Sequence, residues 1–366
     1  MKVLFPMRCD ALSKPGGDTI QVNRYIEELK KYGVQGIISV DPLLDDHDFE
    51  IAHLTNIDRP METLVHGRQL VKKNKPFVIS TIHHSYVEIE AYESFGRSSA
   101  VASFTSRLNF YQLEKARTVI RAIRGDANWL SYQLPLFFSD LRRRQKALLD
   151  SASKVLLLNT REEKLLRAEI GWTATNFAVV PNGLEFDVTN NCGNSHHTDL
   201  DILCVGRIEA RKNQLAILEA AEVLGLRVIF VGALNRNHEK YCQRFVSRIA
   251  SSRSSYVPAV PRTEVLAMMR RAKCHISASW FEVSSLVDFE AYASGCNVVS
   301  SIRGGTKEVL GDAATYCDPA DMLSIKDAIS KAYNKPKTTP VDLLKFKSWD
   351  MVVGDIYQIY QEILTS

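Results

Sequence analysis

A chain of 366 residues, 45% hydrophobic and 24% charged, has the makeup of a globular protein long enough for two domains. Its net charge of +4 suits anionic small substrates or an anionic membrane surface and is too weak a bias to point to nucleic acid. There is no apolar run of about eighteen residues, which excludes a transmembrane helix. The seven cysteines (Cys9, Cys192, Cys204, Cys242, Cys274, Cys296 and Cys317) lack any CxxC pair, so reduced core thiols in a cytoplasmic protein are expected, not disulfides or a zinc site.

The N-terminal MKVLFPMRCD is apolar but broken by Pro6 and Arg8, and reads as a first strand rather than a signal peptide. A glycine loop over 13–19 follows, then a helix to about Tyr32 with Val22, Ile26 and Leu29 on one face and Gly33 as its stop. Strands are predicted over 36–40 and 49–54, a helix over 58–73, and a strand over 76–82 that ends on His83 and His84. These alternations mark a doubly wound domain. Residues 88–150 read as helices rich in arginine and aromatics. They carry either a solvated basic face or a surface for an acceptor or a membrane. A strand over 155–158 precedes Thr160-Arg-Glu-Glu163, a capping box for a helix ending near Gly171. A strand over 177–180 leads to Pro181-Asn182-Gly183. The polar, aperiodic stretch 188–199 is expected to be a linker, and His196-His197 in it to be solvated.

The pattern then restarts. A strand over 201–205 meets Gly206-Arg207 and a loop carrying Arg211 and Lys212. Helices over 214–224, 239–250 and 263–272 alternate with strands over 227–231 and near Tyr256. The β-rich run 274–278 leads to Glu282, then to Ser284-Ser285 as N-cap chemistry, then to an apolar helical run containing Leu286, Val287, Phe289 and Glu290. Gly295 is its stop, and a strand over 297–301 and Gly304-Gly305 follow. This places Glu282 in the loop at the carboxyl end of a strand, where open α/β sheets bind ligands, and Glu290 on the next helix. Both carboxylates can face one crevice, with the free N–H groups of Ser285 and Leu286 aimed into it, an arrangement that favours phosphate. Arg207 and Lys212 add two cations able to neutralise a diphosphate. The tail 349–364 is an amphipathic helix with Met351, Val352, Ile356, Ile359 and Tyr360 spaced for one face.

GRIEARKNQ (206–214), with PNG (181–183) before it and two glutamates eight apart (282–290) after it, resembles the family 4 type of retaining glycosyltransferases. The resemblance is strongest over 178–320. It implies the GT-B architecture, two doubly wound Rossmann-like α/β domains: 1–187 on the acceptor side, a linker at 188–199, 200–345 binding the donor, and a C-terminal helix at 346–366 crossing back to the first domain. It implies that Arg207 and Lys212 hold the donor diphosphate, Glu290 the ribose hydroxyls, and that Glu282 lies beside the transferred sugar. Gly16 and Gly17 match the loop that approaches the donor phosphate, and His83 a strand-end histidine facing the sugar. Where Gly-Phe-Gly usually follows the first glutamate, this chain has Val283-Ser284-Ser285, which alters the sugar pocket. The expected substrates are a UDP- or GDP-sugar and a glycan or glycolipid acceptor, in bacterial surface polysaccharide synthesis. No metal or other cofactor is expected, and neither is nucleic acid. The expected location is cytoplasmic, with peripheral association at the inner membrane face. A nucleotide-sugar epimerase of the same fold and a non-catalytic nucleotide-sugar-binding subunit are the alternatives.

Overall fold

The structure, a computed structural model, describes residues 1–14, 16–45, 47–96, 105, 107–123, 127–184, 198–337 and 346–365. Most of the expected linker (188–197), with Cys192 and His196-His197, lies outside the described residues, as does Pro15 in the glycine loop. The chain divides into two compact units. One comprises Met1–Tyr86, Arg107–Gly183 and Lys347–Ser366, and the other Val87–Ser106 and Leu184–Phe346.

The first unit holds a parallel six-stranded sheet of β1 (Lys2–Pro6), β2 (Gln35–Ser39), β3 (Ile51–Thr55), β4 (Phe77–Ser80), β5 (Lys154–Leu157) and β6 (Phe177–Val179), in the order β2-β1-β3-β4-β5-β6. A parallel sheet is covered on both faces, so its strands are continuous apolar runs: Val3, Leu4 and Phe5 in β1 are all fully buried. The register is set in pairs such as Leu4 opposite Ile37 and Leu54 opposite Ile79. Helices Gly17–Leu29 and Pro60–Lys72 connect the first strands, and Gly33 ends the first connection at φ +68°. The helix after β5 is capped one residue earlier than the sequence pattern suggests: the Asn159 side chain, not Thr160, accepts from the Glu162 N–H at 2.9 Å. A two-carbon amide places its oxygen over that N–H while Thr160 takes the first helical position.

The last helix, Trp349–Thr365, buries Trp349, Val352, Val353, Ile356 and Tyr360. Met351, expected on that face, is 56% exposed, and Val353 takes its place. The helix packs within the first unit: Tyr32 stacks on Tyr357 with ring centroids 4.7 Å apart. Tyr360 Oη lies 2.6 Å from His53 Nδ1, whose other nitrogen lies 2.7 Å from Ser80 Oγ. Gly183 of the PNG turn lies against Trp349 so closely that a Cβ there would come within 2.5 Å of the Trp349 backbone.

The second unit holds another parallel six-stranded sheet, β12-β11-β10-β7-β8-β9. Its strands are β7 (Leu200–Val205), β8 (Val228–Val231), β9 (Ser255–Val257), β10 (Ala272–Ile276), β11 (Asn297–Ser301) and β12 (Ala314–Cys317). One face packs on Ile217, Phe230, Phe245 and Ile329, the other on Leu203, Met269, Tyr292 and Val298. Tyr92, which the sequence reading puts in the first domain, belongs here, because its ring packs on Phe281 and Trp280 at 5.7 and 6.2 Å. The two-sheet α/β architecture is the expected fold class.

Candidate functional site

The second unit gathers charge at the carboxyl ends of its central strands. Gly206 after β7 and Gly232 after β8 both have φ +151°, and a Cβ on Gly232 would stand 2.1 Å from the Gly206 carbonyl oxygen. Two strand ends approach this closely only without side chains. The chain leaving β7 then makes a short 3-10 turn, Ala210–Lys212, before the helix Gln214–Val223.

That turn arranges the cations. Glu209, almost fully buried, accepts from Arg211 Nε and Nη2 at 3.2 and 3.0 Å and from Asn235 Nδ2 at 2.5 Å. Arg207 Nη2 lies 3.7 Å from its other oxygen. Burial alone would raise the Glu209 carboxyl, but Arg211, Arg207 and the Asn235 amide outweigh it and hold it down at about 2. Arg211 also donates Nη1 to Glu282 Oε2 at 3.1 Å and to the Phe281 carbonyl at 3.0 Å, with its guanidinium 5.2 Å from the Phe281 ring centre. Lys212 Nζ donates to the same Glu282 oxygen at 2.7 Å. Arg207, Lys212 and Glu282 thus belong to one cluster, with Glu209 and Arg211 as its centre. Of the cations, Arg207 is the most exposed, its side chain 48% accessible.

Glu282 precedes the helix Leu286–Ala293. Ser285 stands at its N-cap, but its hydroxyl makes no capping bond, against the expectation for a serine there. Its carbonyl accepts from the Asp288 and Phe289 N–H groups at 3.0 and 3.4 Å. The anchoring is done by Asp288, fully buried, which accepts from Ser277, Ser300 and Thr306 hydroxyls at 3.0, 2.6 and 3.2 Å and lies 3.1 Å from His275 Nε2. A carboxylate at the third helical position, tied to β10, β11 and the next helix, fixes where the N–H groups of Ser285 and Leu286 point. Glu290, two residues on, accepts from Arg262 Nη2 at 2.5 Å and is buried.

The remaining sequence candidates lie in the first unit. Gly16 caps the helix Gly17–Leu29, and a Cβ there would stand 2.7 Å from Asp18 Oδ1 and 3.1 Å from Arg8 Nη2. Its requirement for glycine is therefore set by its own loop, which Arg8 pins through Asp18, Asp10 and the Lys14 carbonyl at 2.8, 2.6 and 2.8 Å. A Cβ on Gly17 would meet nothing within 4 Å. His83 does not present its ring as expected of a sugar contact. It is 1% exposed, with Nδ1 2.7 Å from Asp58 and Nε2 3.0 Å from Glu169. Burial would lower its pKa, but the two carboxylates outweigh that and raise it to about 10, so the ring is an imidazolium locking the strand-end loop. His84, also bonded to Asp58, is the more exposed of the pair.

Sequence reasoning missed Glu209, Arg211, Arg262 and Asp288 as site members. Two left a signal: Glu209 falls midway between Arg207 and Arg211, and Asp288 interrupts an otherwise apolar helical run. Of the six described cysteines all are free, and five are buried.

Residues 190–342 match the family model described as glycosyl transferases group 1. No curated protein matches the chain in sequence. Among solved structures, sucrose-phosphate synthase from Thermosynechococcus elongatus superposes with TM-score 0.72 at 15% identity, covering 100% of this chain and 99% of that one. HepE of Anabaena, in complex with UDP and glucose, gives 0.65 at 13% identity, covering 99% of each chain. A trehalose-6-phosphate protein from E. coli bound with UDP-2-fluoro glucose gives 0.58 at 10% identity, covering 99% of this chain and 96% of that one. The fold is GT-B, and residues 190–342 of the second unit carry the match to glycosyl transferases group 1.

Proposed function

We propose that the protein is a retaining glycosyltransferase that moves a sugar from a UDP- or GDP-sugar to a hydroxyl of a glycan or glycolipid, in the synthesis of a bacterial surface polysaccharide. The net reaction is nucleotide sugar plus acceptor hydroxyl giving glycoside, nucleoside diphosphate and a proton. The observation that carries the reading is the cluster of Arg207, Lys212 and Glu282 at the carboxyl ends of β7 and β10, inside the segment that matches glycosyl transferases group 1. Two cations and the helix N-terminus at Ser285 and Leu286 act where charge develops on the leaving diphosphate. Positive charge from the side chains makes the reaction metal-independent. Glu290 takes the ribose hydroxyls, and Glu282 borders the sugar.

A cytoplasmic location, held peripherally at a membrane surface, is part of the proposal, and one surface feature supports the membrane contact. Phe138 is 92% exposed, and Arg142, Arg143 and Arg144 follow it on an exposed helical face. No helix among the described residues is long and apolar enough to cross a membrane.

Thermal denaturation against a panel of nucleoside diphosphates and nucleotide sugars tests the donor site. A ligand at a hundred times its dissociation constant adds about 2.7 kcal/mol of stability. A panel with no shift for any UDP or GDP compound removes the reading.

A further inference from the structure

Arg211 lies between two carboxylates. One fork edge, Nε and Nη2, is spent on Glu209, while Nη1 reaches Glu282 and the Phe281 carbonyl. Its own carbonyl accepts from the Trp280 N–H at 2.9 Å, so backbone and side chain both tie the turn after β7 to the loop after β10. Glu209 is itself fixed on its far oxygen by Asn235. Lys212, by contrast, meets Glu282 through one ammonium on a flexible stem.

We infer that Arg211, oriented by Glu209, is a positioning residue that sets the Glu282 carboxylate for recognition of the donor's sugar, while Arg207 and Lys212 carry the diphosphate. This rests on the donor-site reading above. The loop here is Val283-Ser284-Ser285, so the orientation of Glu282 is imposed from the side by a rigid planar fork. An ammonium does not reproduce it, because a single nitrogen lacks the planar fork that meets Glu209 on one edge while a third N–H group reaches Glu282.

The test is calorimetric and needs no acceptor: UDP-glucose against UDP, and GDP-mannose against GDP, on the full chain. In Glu209→Gln, Arg211→Met and Arg211→Lys, affinity for the nucleotide sugar falls about fivefold or more, while affinity for the matching diphosphate stays within about threefold. In each of the three, Glu282 keeps Lys212. Adding Arg211→Met to Glu282→Gln then produces no further loss. Equal weakening of sugar nucleotide and diphosphate, full recovery with Arg211→Lys, or additive losses in the double variant would each overturn the positioning role and leave the donor site standing. Wild type that binds neither pair overturns both.

Discussion

Lys212 Nζ sits 2.7 Å from Glu282 Oε2, although the two residues are 70 positions apart and belong to different strand-end loops. An ammonium carries three donors, so Lys212 can reach a phosphate while keeping its bond to Glu282, which also holds Arg211. Lys212→Ala is therefore expected to weaken UDP or GDP binding by about ten- to a hundredfold, the loss of one charge-assisted hydrogen bond of about 1.5–3 kcal/mol. Titration calorimetry measures it, and unchanged affinity would take Lys212 out of the diphosphate site. The melting temperature should barely move.

The ribose role proposed for Glu290 can be told apart from phosphate binding. Glu290→Gln is expected to lower affinity for the nucleoside diphosphate about tenfold, roughly 1.4 kcal/mol, and to leave pyrophosphate binding as it was. Competition between pyrophosphate and UDP in both proteins provides the comparison. Parallel weakening of the two ligands would assign Glu290 and Arg262 a purely structural pair.

His83 predicts a pH dependence of stability. Folded, it holds its proton to about pH 10, against an ordinary value of 6.5. Between those values the folded chain binds more protons than the unfolded one, so stability falls as pH rises. The contribution is complete below pH 6.5 and gone above about 10. His83→Gln leaves Glu169 without this partner and Asp58 with His84 alone, at a cost of about 3–5 kcal/mol. Urea unfolding from pH 6 to 10 should slope downward in wild type and lie flatter in the variant. A steeper slope in the variant would contradict the assignment.

Tyr360 tests the seating of the last helix. Burial lowers the His53 pKa to about 3, so its ring is neutral and shares hydrogen bonds with Tyr360 and Ser80. Tyr360→Phe strands one ring nitrogen and should cost about 1–3 kcal/mol, with UDP affinity unchanged. Chemical denaturation beside calorimetry separates the two effects.

Strand positions and the two-sheet architecture were legible because parallel strands covered on both faces are short apolar runs between glycine or polar breaks. β7, β10 and β11 fall within two residues of where the pattern puts them. Gly33 and Gly295 end their helices at positive φ, as read. The helix Met322–Asn334 and strand β12 were not read; β12 is four residues, ATYC, buried only at its two ends, too short to show a pattern. The candidate site was half legible. Cations after a strand and two spaced glutamates can be found by spacing. That Asn235 would fix Glu209, or that His83 would be closed in by Asp58 and Glu169, follows from residues 25 to 86 positions apart that no local pattern joins.

The first unit is assembled from three separate pieces of chain, the last of them Lys347–Ser366, whereas the second is complete at Phe346. During synthesis from the N-terminus, the sheet made first therefore waits for its closing helix until after the sheet made second has all its parts. A chain cut after residue 346 holds every strand of the second unit, while Tyr25 and His53 of the first still lack Trp349 and Tyr360.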